Sequence, residues 1–397
     1  MNPALSSLNT DFPLILRLSR YYPSRQNFPS DIVDSLVAHC DFDLFQKKLA
    51  RARTWPMVYH NITTYQVKFP EAVHQILKKK AQRTAFRNLK NHRMLKQLQH
   101  AFWEKRIPCF SLKGTLLSKR LTGSIGLRHS IDIDLLVQPE RITESRQLLE
   151  NMGYECLDEK YYGKLDHQQL KKFMHHSVFR HKQTRCLLEL HWRLSRFRND
   201  ICLSRQFWDH LKFTAEMSCR LLPDDELLLY LCWHGSKHLW FRLKWLVDIF
   251  QLINQKQWDW RHLWIKANRY RCERSFALGI VLSHEIYQTP LPQEIRKYLK
   301  NQPLICRLAQ KAINLLNPDK VTDISPENYG IEIRKIWNQI RLSSSYSCKI
   351  EIAAASIRPR RLDMQVIHLP KCLFFAYYML RPVRIASSVF KRFYKNA

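Results

Sequence analysis

Apolar positions along the first hundred residues recur at helical spacing. Between Glu71 and Trp103, Val73, Leu77, Ala81, Ala85 and Leu89, then Leu95, Leu98 and Phe102, line one face, with Lys and Arg on the faces between. This pattern predicts one long basic amphipathic helix. Pro108 stops it, because proline lacks an amide hydrogen and clashes with a preceding helical turn. A short β-prone segment, Cys109 to Lys113, is followed by Gly114 and a helix over Thr115 to Leu121. A basic loop through Gly123, Gly126, Arg128 and His129 leads into Ser130 to Val137, the best strand signal in the chain, which Pro139 closes. A helix over about Thr143 to Met152 ends at Gly153, where a left-handed residue is commonly needed. Two strands, Ser177 to Arg180 and Cys186 to Trp192, flank the polar turn His181 to Arg185 and predict a hairpin. Helices return at Leu227 to His238, Phe241 to Ile253, Trp260 to Arg269 and Arg274 to Tyr287. Beyond Pro290 and Pro292 the chain reads as helical and basic, with breaks near Pro318, Pro326, Pro359 and Pro370. The layout is α+β: a helical region over 1–105, a compact core with a small mixed sheet over 106–215, a helical domain over 216–290, and a basic helical region over 291–397.

Composition narrows the class. A chain of 397 residues with 45% apolar positions can bury a core, and 65 Lys plus Arg against 34 Asp plus Glu give a formal charge of +31. An excess of that size points to an anionic partner: nucleotide phosphates, a nucleic-acid backbone or an acidic membrane surface. The eleven cysteines are scattered, with no CxxC pair and no zinc-knuckle spacing. An odd, unpatterned set of this kind predicts reduced thiols, no zinc and a cytoplasmic protein. No secretory signal is visible, and Cys372 to Leu380 is half the length of about 20 residues that a spanning helix needs. Only eight glycines are present, and neither GxGxxG nor GxxxxGK[ST] occurs, which excludes the common nucleotide loops.

The chemistry gathers around one strand. Asp132 and Asp134 lie two apart, so on a strand both carboxylates leave from one face while Ile131, Ile133 and Leu135 take the other. Two carboxylates this close repel unless a cation compensates, and Mg2+ is commonly held by one or two carboxylates plus substrate phosphates. Gly114 opens a helix upstream, with Lys113 beside it, where backbone amides can meet a phosphate. Glu189 interrupts an otherwise apolar strand, which is costly unless the acid is paired or placed at a site. A glycine turn before a helix, a strand with two acids and a third acid on a later strand together suggest two-metal phosphoryl transfer.

Leu112-Lys-Gly114, Arg128-His-Ser-Ile-Asp-Ile-Asp-Leu-Leu-Val137, Gly153-Tyr154, Glu189-Leu-His-Trp192 and the block from His234 to Asp248 together resemble the uncharacterised nucleotidyltransferase family of the DNA polymerase beta superfamily. The resemblance covers roughly residues 45 to 290, and Tyr378-Met-Leu-Arg-Pro382 is reminiscent of the same proteins. It implies a small mixed sheet with flanking helices, Mg2+ on Asp132 and Asp134, and Glu189 as the third acid; Mn2+ is an alternative ion, and Asp166 and Asp158 are the next candidates if the third acid lies elsewhere. The superfamily's Gly-Ser phosphate turn is replaced by Lys113-Gly114-Thr115, while Arg128 and Ser130, just before the acidic strand, are phosphate contacts by position.

Other residues divide between ordinary and functional roles. Lys237 and Arg242 are candidate triphosphate contacts; Lys244 and Asp248, four apart on a helix, are expected to pair with each other. His234 and His238 share that spacing without an HExxH glutamate and read as structural. His175 and His176 read as a polar loop, and the helical tryptophans as core. The expected activity is Mg2+-dependent transfer of a nucleoside monophosphate from an NTP to an acceptor hydroxyl, with release of pyrophosphate. The acceptor is expected not to be nucleic acid, because no RNA- or DNA-reading module is visible. Two other readings stand beside it. One is a non-catalytic protein of this fold that binds nucleic acid through its basic face; the other is a protein peripheral to the membrane through its tail, Lys371 to Lys395, which mixes aromatics with Lys and Arg.

Overall fold

The computed structural model describes residues 11–158, 174–194, 208, 220–317, 329–358, 363–364, 367, 369, 373 and 375–395. The chain forms two compact units, each assembled from three stretches. The first takes Met1–Gln97, Ser111–Ile133 and Leu221–Thr322; the second takes Leu98–Phe110, Asp134–Arg220 and Asp323–Ala397.

The first unit is helical. It opens with α1 (Asp11–Leu18), α2 (Ser30–Ala38), α3 (Phe42–Ala52) and α4 (Trp55–Thr64), followed by most of α5 (Glu71–Glu104), the long helix of the apolar stripe. Asp41 caps α3 by accepting from the amides of Asp43 and Leu44, which satisfies donors that a helix start leaves open. The helix α6 (Thr115–Thr122) has glycine at both ends: Gly114 at φ +79° and Gly123 at φ +72°, conformations that a Cβ strains. The remainder is a bundle of α8 (Asp224–Lys237), α9 (Leu243–Ile253), α10 (Trp260–Arg269), α11 (Glu273–Tyr287), α12 (Gln293–Lys300) and α13 (Pro303–Leu316). Its centre is α11, which packs on α8, α9 and α13 with Phe276, Ala277, Ile280 and Leu282 almost fully buried.

The second unit carries a six-stranded mixed sheet in the order β3-β4-β5-β2-β1-β6. Its strands are β1 (Cys109–Ser111), β2 (Ile133–Val137), β3 (Tyr154–Cys156), β4 (His176–His181), β5 (Leu187–His191) and β6 (Arg220–Leu221). The expected hairpin is present: β4 and β5 are antiparallel, with His176 opposite His191 and Val178 opposite Glu189. The helix α7 (Ile142–Asn151) leads to Gly153, whose φ of +84° starts the turn into β3. The chain then adds α14 (Tyr329–Leu342), α15 (Tyr346–Ser356) and α16 (Ala376–Lys395).

One expectation changes. The acidic strand begins at Ile133, so Asp132 precedes it, and all five residues of β2 are buried, as in a strand covered on both faces. Side chains of α5 occupy the carbonyls that a longer ladder would use. Asn88 donates to Arg128 O at 2.8 Å, Arg87 to Ser130 O at 2.7 Å and Asn91 to Ile131 O at 3.3 Å. The tail is only partly free for an interfacial role. Tyr377 joins Ile142, Met174, Trp192 and Met364 in a buried cluster, and Arg381 pairs with Asp363 at 2.8 Å, both 1% exposed at the side chain. Phe375, Met379 and Val383 stay exposed. Among the described residues no helix is long and apolar enough to cross a membrane, and the described cysteines are free thiols.

Candidate functional site

In the second unit, β2 and β5 are neighbours in the sheet. Asp134 leaves β2, and Glu189 and His191, two apart on β5, share a face. One ligand atom from each of the three lies within 4.8 Å of the others. His191 Nε2 is 3.1 Å from Glu189 Oε2 and 3.5 Å from Asp134 Oδ1, with Asp134 nearly sealed from solvent and Glu189 more open. Burial works against an imidazolium at His191, yet hydrogen bonding and charge from Asp134 and Glu189 outweigh it and raise its pKa above the ordinary value. Two carboxylate oxygens and one imidazole nitrogen form a donor set that fits a divalent cation. His176 stacks on His191 with ring centroids 4.9 Å apart, and His175 Nε2 lies 3.1 Å from His176 Nδ1. The pair expected in a polar loop thus buttresses this group.

Asp158, held in reserve as a third acid, accepts from Val178 N at 2.7 Å and so secures β4. Asp166 lies outside the described residues.

In the first unit the structure draws together Lys113, Gly114, Thr115, Ser130, Asp132 and Arg242. A Cβ on Gly114 would sit 3.7 Å from Ser130 Oγ and 3.8 Å from Asp132 O, so the glycine turn and the segment before β2 run side by side. Ser130 Oγ donates to Asp132 O at 3.1 Å, and the Thr115 hydroxyl lies 3.3 Å from His92 Nδ1. Asp132 acts electrostatically on three arginines, Arg53, Arg87 and Arg242. Lys237 lies over the Trp233 ring at 5.2 Å and also raises the cost of charging His234.

Arg128 is committed elsewhere. Its Nε and Nη2 each donate to the Asp248 carboxylate at 2.8 Å, a buried two-pronged pair that sequence spacing had assigned to Lys244. Lys244 instead donates to His129 O at 3.2 Å. Helical spacing shows which side chains share a face of one helix, not which partner a neighbouring loop inserts. His234 and His238 pack with Trp245, and Trp240, Trp245 and Trp258 are buried.

The order of residues did not single out His191 beside the acids, nor Arg53 and Arg87 around Asp132. The Glu-x-His spacing on a strand was a usable signal for the first; the arginines, on distant helices, left none.

His129 supplies a measurable signature of this cationic environment. It is buried against Trp55, its Nε2 lies 3.2 Å from Arg87 Nη2, and burial together with Lys244, Arg87, Arg53 and Arg128 depresses its pKa to about 2. A histidine depressed in the fold takes up its proton only on unfolding, so below its ordinary value of 6.5 the unfolded state binds more protons. Stability is therefore lost as pH falls from about 6.5 towards 2, at up to about 1.4 kcal/mol per pH unit. His129→Asn is expected to flatten the pH dependence of urea unfolding between pH 7 and 4. An unchanged slope would show that the ring is not held neutral.

A small mixed six-stranded sheet flanked by helices, with two acids and a histidine on its neighbouring strands, is consistent with an α+β nucleotidyltransferase fold. The chain belongs to the family described as uncharacterised nucleotidyltransferase, whose model matches residues 38–288. No curated protein and no solved structure matches it.

Proposed function

We propose that the protein transfers a nucleoside monophosphate from an NTP to an acceptor hydroxyl, releasing pyrophosphate, with a divalent cation held by Asp134, Glu189 and His191. The convergence of these three side chains on adjacent strands carries the reading. Held by these residues, a cation would supply charge neutralisation at the phosphates and lower the cost of forming an alkoxide. The imidazole nitrogen favours Mn2+ alongside Mg2+, which prefers an all-oxygen set.

The acceptor oxygen forms a bond to the α-phosphorus, the bond from that phosphorus to the bridging oxygen breaks, and pyrophosphate leaves with the electron pair. The hydroxyl proton passes to a carboxylate, Glu189 or an aspartate acting as general base. Asp132, two residues before Asp134 in the sequence, is proposed as a further catalytic carboxylate on the strength of that spacing. Positioning and electrostatics do most of the work in phosphoryl transfer, so the side chains need hold geometry more than make bonds.

The test is incubation with each of the four NTPs labelled at the α-phosphate, with Mg2+ or Mn2+, alongside a cell extract. Label in an extract component together with pyrophosphate is the expected result. No pyrophosphate from any NTP with either metal would sink the reading. The charge of +31 supports one alternative, a nucleic-acid partner. Stoichiometric label at RNA 3′ ends would establish nucleic acid as the acceptor, whereas salt-sensitive RNA binding without any transfer would favour a non-catalytic protein of this fold.

A further inference from the structure

Between Glu71 and Glu104, the two ends of α5, the chain has no Asp or Glu and eight Lys or Arg. One side of the helix packs inward through Val73, Leu77, Ala81 and Leu95, all buried. The opposite side, within the first unit, presents Lys79, Arg83, Phe86, Leu89, Arg93 and Lys96, all exposed. Phe86 is 72% exposed and Leu89 59%, so a ring and a branched apolar side chain stand in solvent in the middle of a basic face. No acid on the helix lies within two turns of Lys79, Arg83, Arg93 or Lys96. Like charges at helical spacing, Lys79 with Arg83 and Arg93 with Lys96, oppose the helix that carries them, and a bound polyanion removes that opposition.

The order of these side chains selects the anion. Residues seven apart differ by only about 20° around a helix, so Lys79, Phe86 and Arg93 form one line down the middle of the face: cation, ring, cation. Arg83 stands to one side of that line, Leu89 and Lys96 to the other. From Lys79 to Lys96 the face runs about 26 Å at 1.5 Å per residue, longer than a compact anion can engage. A helix lying in a bilayer keeps its apolar residues on the deepest line and lets cations reach out from the edges. Here two cations occupy that line. A second copy of the chain would set one acid-free helix against another. Duplex nucleic acid keeps its base faces stacked inside and offers Phe86 nothing. A single strand supplies both parts, phosphates along a track and unstacked bases for a ring.

We infer that the outer face of α5 between Lys79 and Lys96 binds single-stranded nucleic acid, with a base stacked on Phe86 and backbone phosphates against the flanking cations. Strand binding on this face depends neither on nucleotide transfer nor on the strand being the acceptor.

The experiment is fluorescence anisotropy of the full chain with a labelled, unstructured single-stranded RNA of about 16 nucleotides, in metal-free buffer without NTP. The strand should bind at about 0.15 M salt and outcompete the same sequence as a duplex. Phe86→Ala should weaken it about 5-fold or more without changing the salt slope, as loss of one stacked base does. Phe86→Trp should keep parental affinity, whereas Phe86→Leu, which retains apolar area and loses the ring face, should match Phe86→Ala. Arg83→Gln combined with Arg93→Gln should weaken binding and flatten the slope of log affinity against log salt by about 1.4, or about 0.7 per phosphate contact. Arg307→Gln combined with Lys311→Gln removes the same charge from exposed positions on α13 and should leave affinity and slope as in the parent. All the substituted side chains are exposed, so every variant should melt at the parental temperature.

Parental affinity in Phe86→Ala or in the α5 arginine pair, an equal loss in the α13 pair, or duplex bound as tightly as the single strand overturns the proposal. Binding to phosphatidylglycerol vesicles that Phe86→Ala and Phe86→Trp both alter, with strand affinity untouched, overturns it in favour of a bilayer.

Discussion

Replacing Asp134 by Asn is expected to abolish nucleotide transfer, by a factor of about 1,000 or more, equivalent to roughly 4 kcal/mol in the barrier. The substitution keeps the size of the side chain and removes a carboxylate from a group whose other members, Glu189 and His191, lie within 4.8 Å. A buried neutral amide cannot replace an ionised ligand to a hard cation. Glu189→Gln should lose turnover more than nucleotide affinity, since it too keeps shape and removes charge and base together. Mn2+ binding followed by electron paramagnetic resonance gives a readout independent of activity. The parent should bind the ion, and Asp134→Asn and His191→Ala should bind it at least about 10-fold more weakly, by analogy with losses caused by disturbing groups around metals. Should Asp134→Asn keep both parental Mn2+ affinity and transfer, the metal group is wrongly placed. If Glu189→Gln alone turns over normally, the third acid lies elsewhere in the chain.

The second large effect concerns stability. Asp248→Ala is expected to destabilise the protein by about 3–5 kcal/mol, because it leaves the Arg128 guanidinium buried without its carboxylate. Asp248 also eases the buried charge of Lys244 on the same helix, so its loss weakens both cations. The double variant Arg128→Met with Asp248→Leu should recover most of the loss, as replacing a whole buried pair by apolar side chains often does. Urea unfolding of the two single variants and the double variant measures the coupling. A cost below about 1 kcal/mol for Asp248→Ala, accompanied by weaker NTP binding in Arg128→Met, would return Arg128 to the phosphate-contact role that its position before the acidic strand suggested.

These two cases show what could be read from residue order. The strands and helices around the candidate site were legible because the signals are local: Pro108 ending α5, Gly114 opening α6, Gly153 closing α7, and the polar turn between β4 and β5. Asp134 and Glu189 stood out as charges in apolar strands. What the order of residues concealed is lateral. Nothing in the spacing shows that β5 lies beside β2, and without that adjacency His191 is one histidine among seventeen. Similarly, Asn88, Arg87 and Asn91 lie on the predicted helix, but their claim on the carbonyls of Arg128, Ser130 and Ile131 depends on where the helix docks. That docking shortened the strand and separated Asp132 from the regular ladder. Lys244 illustrates the same limit. Its ion pair was inferred from spacing along one helix, and a side chain from elsewhere took the carboxylate.

The interleaving of the two units has a consequence for biosynthesis. The helical unit has all of its chain once Thr322 has been made, whereas the unit bearing Asp134, Glu189 and His191 draws its last stretch from Asp323–Ala397. Its buried cluster unites Ile142 and Trp192 with Met364 and Tyr377. At about 5–20 residues per second, a ribosome needs on the order of 4–15 s to deliver that stretch. Throughout that interval the nascent chain already contains Asp134, Glu189 and His191 but lacks Met364 and Tyr377, which pack with Trp192, the immediate neighbour of His191. The unit that carries Asp134, Glu189 and His191 is therefore the later of the two to have its chain in hand, and its buried cluster closes only after Tyr377 has been made.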